Sequence, residues 1–349
     1  MTDLEARVTA TLTARADRPV STDALGAAAV RRAHTVRRRR RAIGAAGVAA
    51  VLVALFAVVR MPAPGLGDNG LPVAAGGGEV GTDPSIVHFA LDYGVLDKAV
   101  ATEWVSSSKG YEKATVYDGD NRWWVTFYLA TDEAILDRAA GDDHGAEAPS
   151  TVNGEPALLR EGFYDSARAF EIRWEPRPGV HAMLLASVNT ADFALRVAES
   201  IRFDRALRCV MPLRLTELPP GYRWVECQTR VRRAPDPGQQ RWIHSGLTVE
   251  QPGGTPVLIW TKERRAADPS VQAAFHPNRT VAGWPAEWRT TSPRGLWFTT
   301  FGPVELYICV LDPKDADNLT EADATYLATH LQISPNLDAP STWPTRAAG

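Results

Sequence analysis

At 349 residues, 45% hydrophobic and 23% charged, the sequence has an ordinary globular composition and room for about two domains, which excludes a fibrous or wholly disordered chain. The net charge of -3 hides an asymmetry, because residues 1–41 hold ten arginines against Asp3, Glu5, Asp17 and Asp23. A basic head and an acidic body, split by an apolar run, point to two compartments and away from a nucleic-acid partner.

In the head, Leu4, Val8 and Leu12 recur at four-residue steps, and Ser21 or Thr22 can cap a run through Val30. This predicts one or two short helices in a segment, 1–41, too short to build a core alone. His34 is its one histidine and it has no cysteine, so a zinc-binding head lacks its ligands. Ala42 to Val59 carries no charge over eighteen residues, about 27 Å as a helix, and we expect a transmembrane helix over 42–60. Arg37, Arg38, Arg39, Arg40 and Arg41 directly precede it. They predict a single pass through the plasma membrane, with the N-terminus in the cytoplasm and the C-terminal part extracytoplasmic. The long region before the run argues against a cleaved signal peptide. Ala42, Ala46, Ala50 and Ala54 form a small-residue row that offers a homodimer contact. Residues 61–85, with seven glycines and four prolines, read as a flexible linker.

Beyond the linker the sequence repeats. "VNGEPA" at 152–157 returns as "VAGWPA" at 281–286, and "AESIRF" at 198–203 aligns with "ATHLQI" at 328–333. "ATVYDGDNRWWVTFYLA" at 114–130 aligns with "LTVEQPGGTPVLIWTKE" at 247–263. Asp118-Gly119 and Asn153-Gly154 are hairpin dipeptides between alternating strands. Ala194, Val197, Ala198 and Ile201 make one helical face, and Ala324, Leu327, Ala328 and Leu331 make another, with Thr320 and Asp323 as a capping pair. Shorter helices are expected in "TDEAILDRAA" and at 268–275. The expected fold is α+β: two tandem repeats, 86–204 and 205–334, each an antiparallel sheet with a closing helix. Residues 335–349 read as a disordered tail, with Trp343 its one expected contact.

The order of strands, the V-x-G-x-P-A hairpin, the aromatic strand ending near Trp174 and the helix closing on "AESIRF" resemble small extracytoplasmic domains of bacterial membrane proteins. They are similar to the PsbP-like type and to domains related to RseB and lipoprotein carriers. The head and span resemble actinobacterial single-pass proteins of unassigned function. The resemblance implies fold and location, and no active site carries over with it.

Cys209, Cys227 and Cys309 all fall in the second copy. The stretch from Cys209 to Cys227 is symmetric about Leu218 beside Pro219-Pro220-Gly221, so a hairpin there sets the two cysteines opposite each other for a disulfide. Pairing of Cys309 with either of them is the alternative.

"GDDHGAE" offers Asp142, Asp143, His144 and Glu147 to a cation, but it has no counterpart in the second copy and reads as a solvated loop. "DGDN" at 118–121 lacks the later glutamate of a calcium loop, and a hairpin turn explains it. No nucleophile elbow, zinc-protease helix or phosphate-binding glycine loop occurs, so we expect neither catalytic residues, nor metal, nor cofactor. Trp123, Trp124, Trp174, Trp260 and Trp297 fall in predicted strands and read as core. Trp284 and Trp288 flank the second V-x-G-x-P-A turn and offer an aromatic partner contact. The expectation is a membrane-anchored, non-enzymatic extracytoplasmic sensor or partner-binding protein of the bacterial envelope. The alternative is a structural or assembly partner that binds no small ligand.

Overall fold

The computed structural model describes residues 71–348 apart from 75–77, 119–122, 141–144, 165–166, 233–240, 265–273, 292, 311, 313, 315–317 and 345. The chain divides into two units, Met1–Met61 and Pro62–Gly349, and every described residue belongs to the second. Arg37 to Arg41, the alanine row from Ala42 to Ala54 and the run 42–60 lie outside the described residues.

The described part is built mainly of strands. In chain order they are β1 (Ile86–Val87), β2 (Ala101–Ser107), β3 (Tyr111–Tyr117), β4 (Trp124–Ala130), β5 (Ala148–Val152), β6 (Glu155–Tyr164), β7 (Ala167–Arg177) and β8 (Val180–Ser187). Then come β9 (Leu207–Arg208), β10 (Leu213–Leu215), β11 (Arg223–Arg232), β12 (Arg241–Glu250), β13 (Pro256–Glu263), β14 (Arg279–Val281), β15 (Trp284–Arg289), β16 (Arg294–Phe301), β17 (Val304–Val310) and β18 (Leu331–Ile333). The helices are α1 (Glu133–Ala140), α2 (Ala191–Ser200) and α3 (Glu321–Thr329).

Fourteen strands form one antiparallel sheet in the order β14-β15-β16-β17-β13-β12-β11-β2-β3-β4-β8-β7-β6-β5. This corrects the expected α+β fold of two tandem sheet-plus-helix repeats. The strands that would have been free edges of two separate sheets, β2 and β11, pair with each other from Glu226 opposite Ser107 to Arg232 opposite Ala101. Pairing satisfies a row of backbone groups that each edge would otherwise expose, so a single sheet wins.

The single-pass membrane placement is corrected as well. Among the described residues no helix is long and apolar enough to cross a membrane. The longest, α2, has ten residues and reaches about 15 Å, half of the roughly 30 Å of hydrocarbon a span must cover.

One face of the sheet carries the main core. Across the register, Trp104, Ala114, Phe127, Leu184 and Ile172 follow one another on β2, β3, β4, β8 and β7, all buried. Two helices cover this face with the positions their periodicity marks: Ala194, Val197 and Ala198 on α2, and Ala324, Leu327 and Ala328 on α3. Thr190 caps α2 by accepting from the Phe193 N–H at 3.3 Å, and Thr320 caps α3 by accepting from the Asp323 N–H at 3.1 Å. The opposite face carries a smaller cluster under α1, made of Ala130, Leu136, Ala140, Met183 and Leu185.

Both ends of the described chain are tied down, against the reading of a free linker and tail. Leu71 and Val80 are buried, the Ala74 N–H donates to the Ala206 carbonyl at 2.9 Å, and the Arg208 N–H donates to the Pro72 carbonyl at 2.8 Å. At the other end Trp343 is buried with its Nε1–H donating to the Asn336 carbonyl at 3.0 Å, and the Leu215 N–H donates to the Ala347 carbonyl at 2.7 Å. Glu112, fully buried on β3, fastens the segment before β2. Its carboxylate accepts from the Gly81 N–H at 3.1 Å and the His88 N–H at 2.5 Å, and pairs with His88 Nδ1 at 2.5 Å.

Cys209 and Cys227 are joined in a disulfide, with Cα atoms 6.3 Å apart, and Cys309 is a buried free thiol. The geometry is not the hairpin that the sequence suggested. β11 pairs with β2 and β12, and the segment between the cysteines leaves through β10 to pair with β18.

Candidate functional site

A strand alternates its side chains between the two faces of a sheet, so each apolar strand of the core face sends every other residue to the far side. On that far side two neighbouring rows run across the junction between β2 and β11. In the first row Glu103, Arg230, His244, Lys262 and Glu305 stand opposite one another on β2, β11, β12, β13 and β17. In the second row Gln228, Gly246, Trp260, Tyr307, Trp297 and Glu287 follow on β11, β12, β13, β17, β16 and β15.

The rows are internally paired. His244 Nε2 lies 3.3 Å from a Glu103 oxygen, and Lys262 Nζ lies 2.9 Å from a Glu305 oxygen. The Arg230 guanidinium sits 4.1 Å from the Tyr117 ring centre. The His244 ring lies against Trp260 at 4.3 Å, tilted by 32°, and Trp297 stacks on Tyr307 at 5.5 Å and 20°. Arg289 closes the end of the row, 3.7 Å from the Trp297 ring and 3.0 Å from a Glu287 oxygen. Gly246 makes the space for this order: a Cβ there would come within 3.2 Å of Trp260 and 3.3 Å of Gln228.

The electrostatics fix the charge states. Burial pushes the Glu103 carboxyl up, but His244, Lys113 and Arg230 outweigh it and hold the carboxyl below its ordinary range. Burial pushes Lys262 down, and Glu305 with Tyr307 reverses the sign and holds the ammonium charged. Beside the rows, the Tyr111 hydroxyl donates to Glu226 at 2.5 Å, and burial and that carboxylate raise its pKa. Glu103 is therefore an acceptor and Lys262 a donor, each held in place by its partners. Trp260, Tyr307, Gln228, Arg230 and Leu258 are half-buried, while Trp297 at the end of the row is buried, with the Phe275 ring edge-on to it at 5.5 Å.

The other residues singled out in the sequence fall elsewhere. Trp288 is buried and Trp284 half-buried against Phe301 at 6.2 Å, both on the core face. Alternation explains it: Ala286 between them is fully buried, so all three point into the core. Asp142, Asp143 and His144 lie outside the described residues, and Glu147 is exposed and paired with Arg160. Among the described residues no group of three or more His, Cys, Asp or Glu side chains is placed to hold a metal ion. Sequence reasoning missed Arg230 and Tyr307 altogether, took His244 as structural or surface, and read Trp260, half-buried here, as core; Trp297, read as core too, is buried. The one signal was the polar alternation of "RWVECQTRVR" on β11.

No family model matches the chain, and none of the curated proteins does. Two solved structures are similar to it. One is a crystal structure of MucB in complex with MucA(peri), at 12% identity, covering 70% of this chain and 97% of that chain with a TM-score of 0.20. The other is the MucA/MucB complex of Pseudomonas aeruginosa, at 12% identity, covering 70% of this chain and 99% of that chain with a TM-score of 0.20. A TM-score of 0.20 is too loose a superposition to carry a shared fold.

Proposed function

We propose that the chain is a binding protein rather than an enzyme, that it works in an oxidising compartment of the cell envelope, and that it engages a protein partner across the face carrying Trp260 and Tyr307. The observation that carries this reading is the half-buried pair Trp260 and Tyr307, side by side in one row, with half-buried Arg230 and the paired charges in the row beside it. These are the residue types that dominate binding energy in protein interfaces, and held in fixed rotamers they lose little entropy on association. The ionisable groups of the rows are tied to one another, which suits recognition of a complementary surface. The Cys209–Cys227 disulfide supports the oxidising compartment.

The test places a photo-crosslinking amino acid at Gln228 or Leu258 in the full chain, with the exposed helical position Glu199 as control. Discrete adducts with a protein from positions 228 and 258, absent at 199 and lost in Trp260→Ala, are expected. Identical adducts at 199, or adducts indifferent to Trp260→Ala, would sink the reading.

A further inference from the structure

At one end of the sheet β8 runs into α2, and a cavity of about 430 Å³ opens between that turn, the residue before β4 and the loop before β2. Its size falls within the range of specific small-ligand sites, roughly 300–1,000 Å³. The inner wall is apolar, formed by half-buried Trp123, Val188 and Phe193. Exposed Lys98 and Arg196 stand at the rim with Asp97, which leaves one net positive charge over the mouth. Neither Lys98 nor Arg196 forms an ion pair with a described residue, and the Arg196 guanidinium lies 5.5 Å from the Phe193 ring centre, against the apolar wall.

We propose that this cavity takes the C-terminal residue of a protein partner, with its free carboxylate on Arg196 and Lys98 and a large apolar side chain against Trp123 and Phe193. Three features select this ligand. A guanidinium grips a carboxylate through two parallel hydrogen bonds, which a lone ammonium does not offer. The single net charge suits one carboxylate, whereas a phosphate dianion would meet the repulsion of Asp97. Thr190 and Asn189 also line the mouth. The Thr190 oxygen already accepts from the Phe193 N–H, so its hydroxyl proton is left to donate. Capture of a chain terminus by a small polar mouth over an apolar pocket is an established mode of peptide recognition.

The proposal rests on the partner-binding reading but uses a different site, so the two can fail separately. The probes are acetyl tripeptides ending in Phe or Leu, each as the free acid and as the amide, with 3-phenylpropionate as the free small acid. Binding to the full chain is followed by calorimetric titration. We expect a free-acid peptide to bind, its amide to bind at least about tenfold more weakly, and Arg196→Gln to cost about tenfold, as the loss of one charge-assisted pair implies. Arg196 is exposed, so the variant keeps the fold. No binding by either free-acid peptide, or equal binding of acid and amide, overturns the assignment. Phenylpropionate binding as tightly as the peptides overturns it too, in favour of a small-acid site. If the crosslinks at 228 and 258 form while the peptides fail, only the cavity assignment falls.

Discussion

Glu103 shows how much of the polar face depends on one residue's surroundings. Its carboxyl is pushed up by burial and pulled down further by His244, Lys113 and Arg230, so in the fold it lies below the ordinary value of 4.5. A carboxyl depressed in the fold contributes stability that is complete above its unfolded pKa and is lost as pH falls through the folded one. The free energy of unfolding should therefore decline as pH drops below about 4.5, and Glu103→Gln should flatten that decline. Urea titrations at a series of pH values would show it, and an unchanged slope in the variant would mean that these three neighbours do not act on this group. None of this was legible in the sequence. Glu103 and Arg230 are more than a hundred positions apart, and only the β2–β11 register brings them together. A one-residue slip in their pairing would have put the two on opposite faces of the sheet.

Among the elements, hairpins and helices were the legible part. Asn153-Gly154 turns β5 into β6 with φ of 52° and 88°, and Ala282-Gly283 turns β14 into β15 with φ of 51° and 81°. Both are left-handed at both central residues, which two-residue hairpins require. Asparagine tolerates this region, whereas alanine pays for its Cβ, on the order of 1 kcal/mol. Ala282→Gly should accordingly stabilise the protein by about 0.5–1 kcal/mol, read as a higher urea midpoint at unchanged slope. A lower midpoint would show that the Ala282 methyl contributes packing we have not credited. The helical faces of α2 and α3 were legible for a similar reason, because a period of 3.6 can be read in ten residues. Strand partners were not. Alternation tells which residues face the core but not which edges meet, so two separate sheets were expected where one continuous sheet stands.

At the scale of the whole molecule the cysteines give the sharpest check. Burial pushes the Cys309 thiol up to about 11, so at pH 8 it is protonated as well as enclosed. The native protein should take up no iodoacetamide; unfolded without reductant it should take up one equivalent, and after reduction three, matching its three cysteines. Two equivalents or more before reduction would contradict the Cys209–Cys227 bond. Reduction should also cost about 3 kcal/mol, the chain-entropy value for a loop of this size. The sequence pointed to the right pair for the wrong reason. In the tail the sequence singled out Trp343, which is buried, but composition does not reveal that Ala347 is buried as well.

The short segment around β9 and β10 receives both ends of the described chain: residues 72 and 74 pair with 208 and 206, and residue 347 with 215. Time enters here, since a ribosome adds roughly 5–20 residues per second. Leu213 and Leu215, both fully buried in the finished fold, must wait on the order of ten seconds for partners more than a hundred positions further along the chain. Through that interval these apolar residues stand uncovered, and closure of this seam is a late step in the folding of the chain.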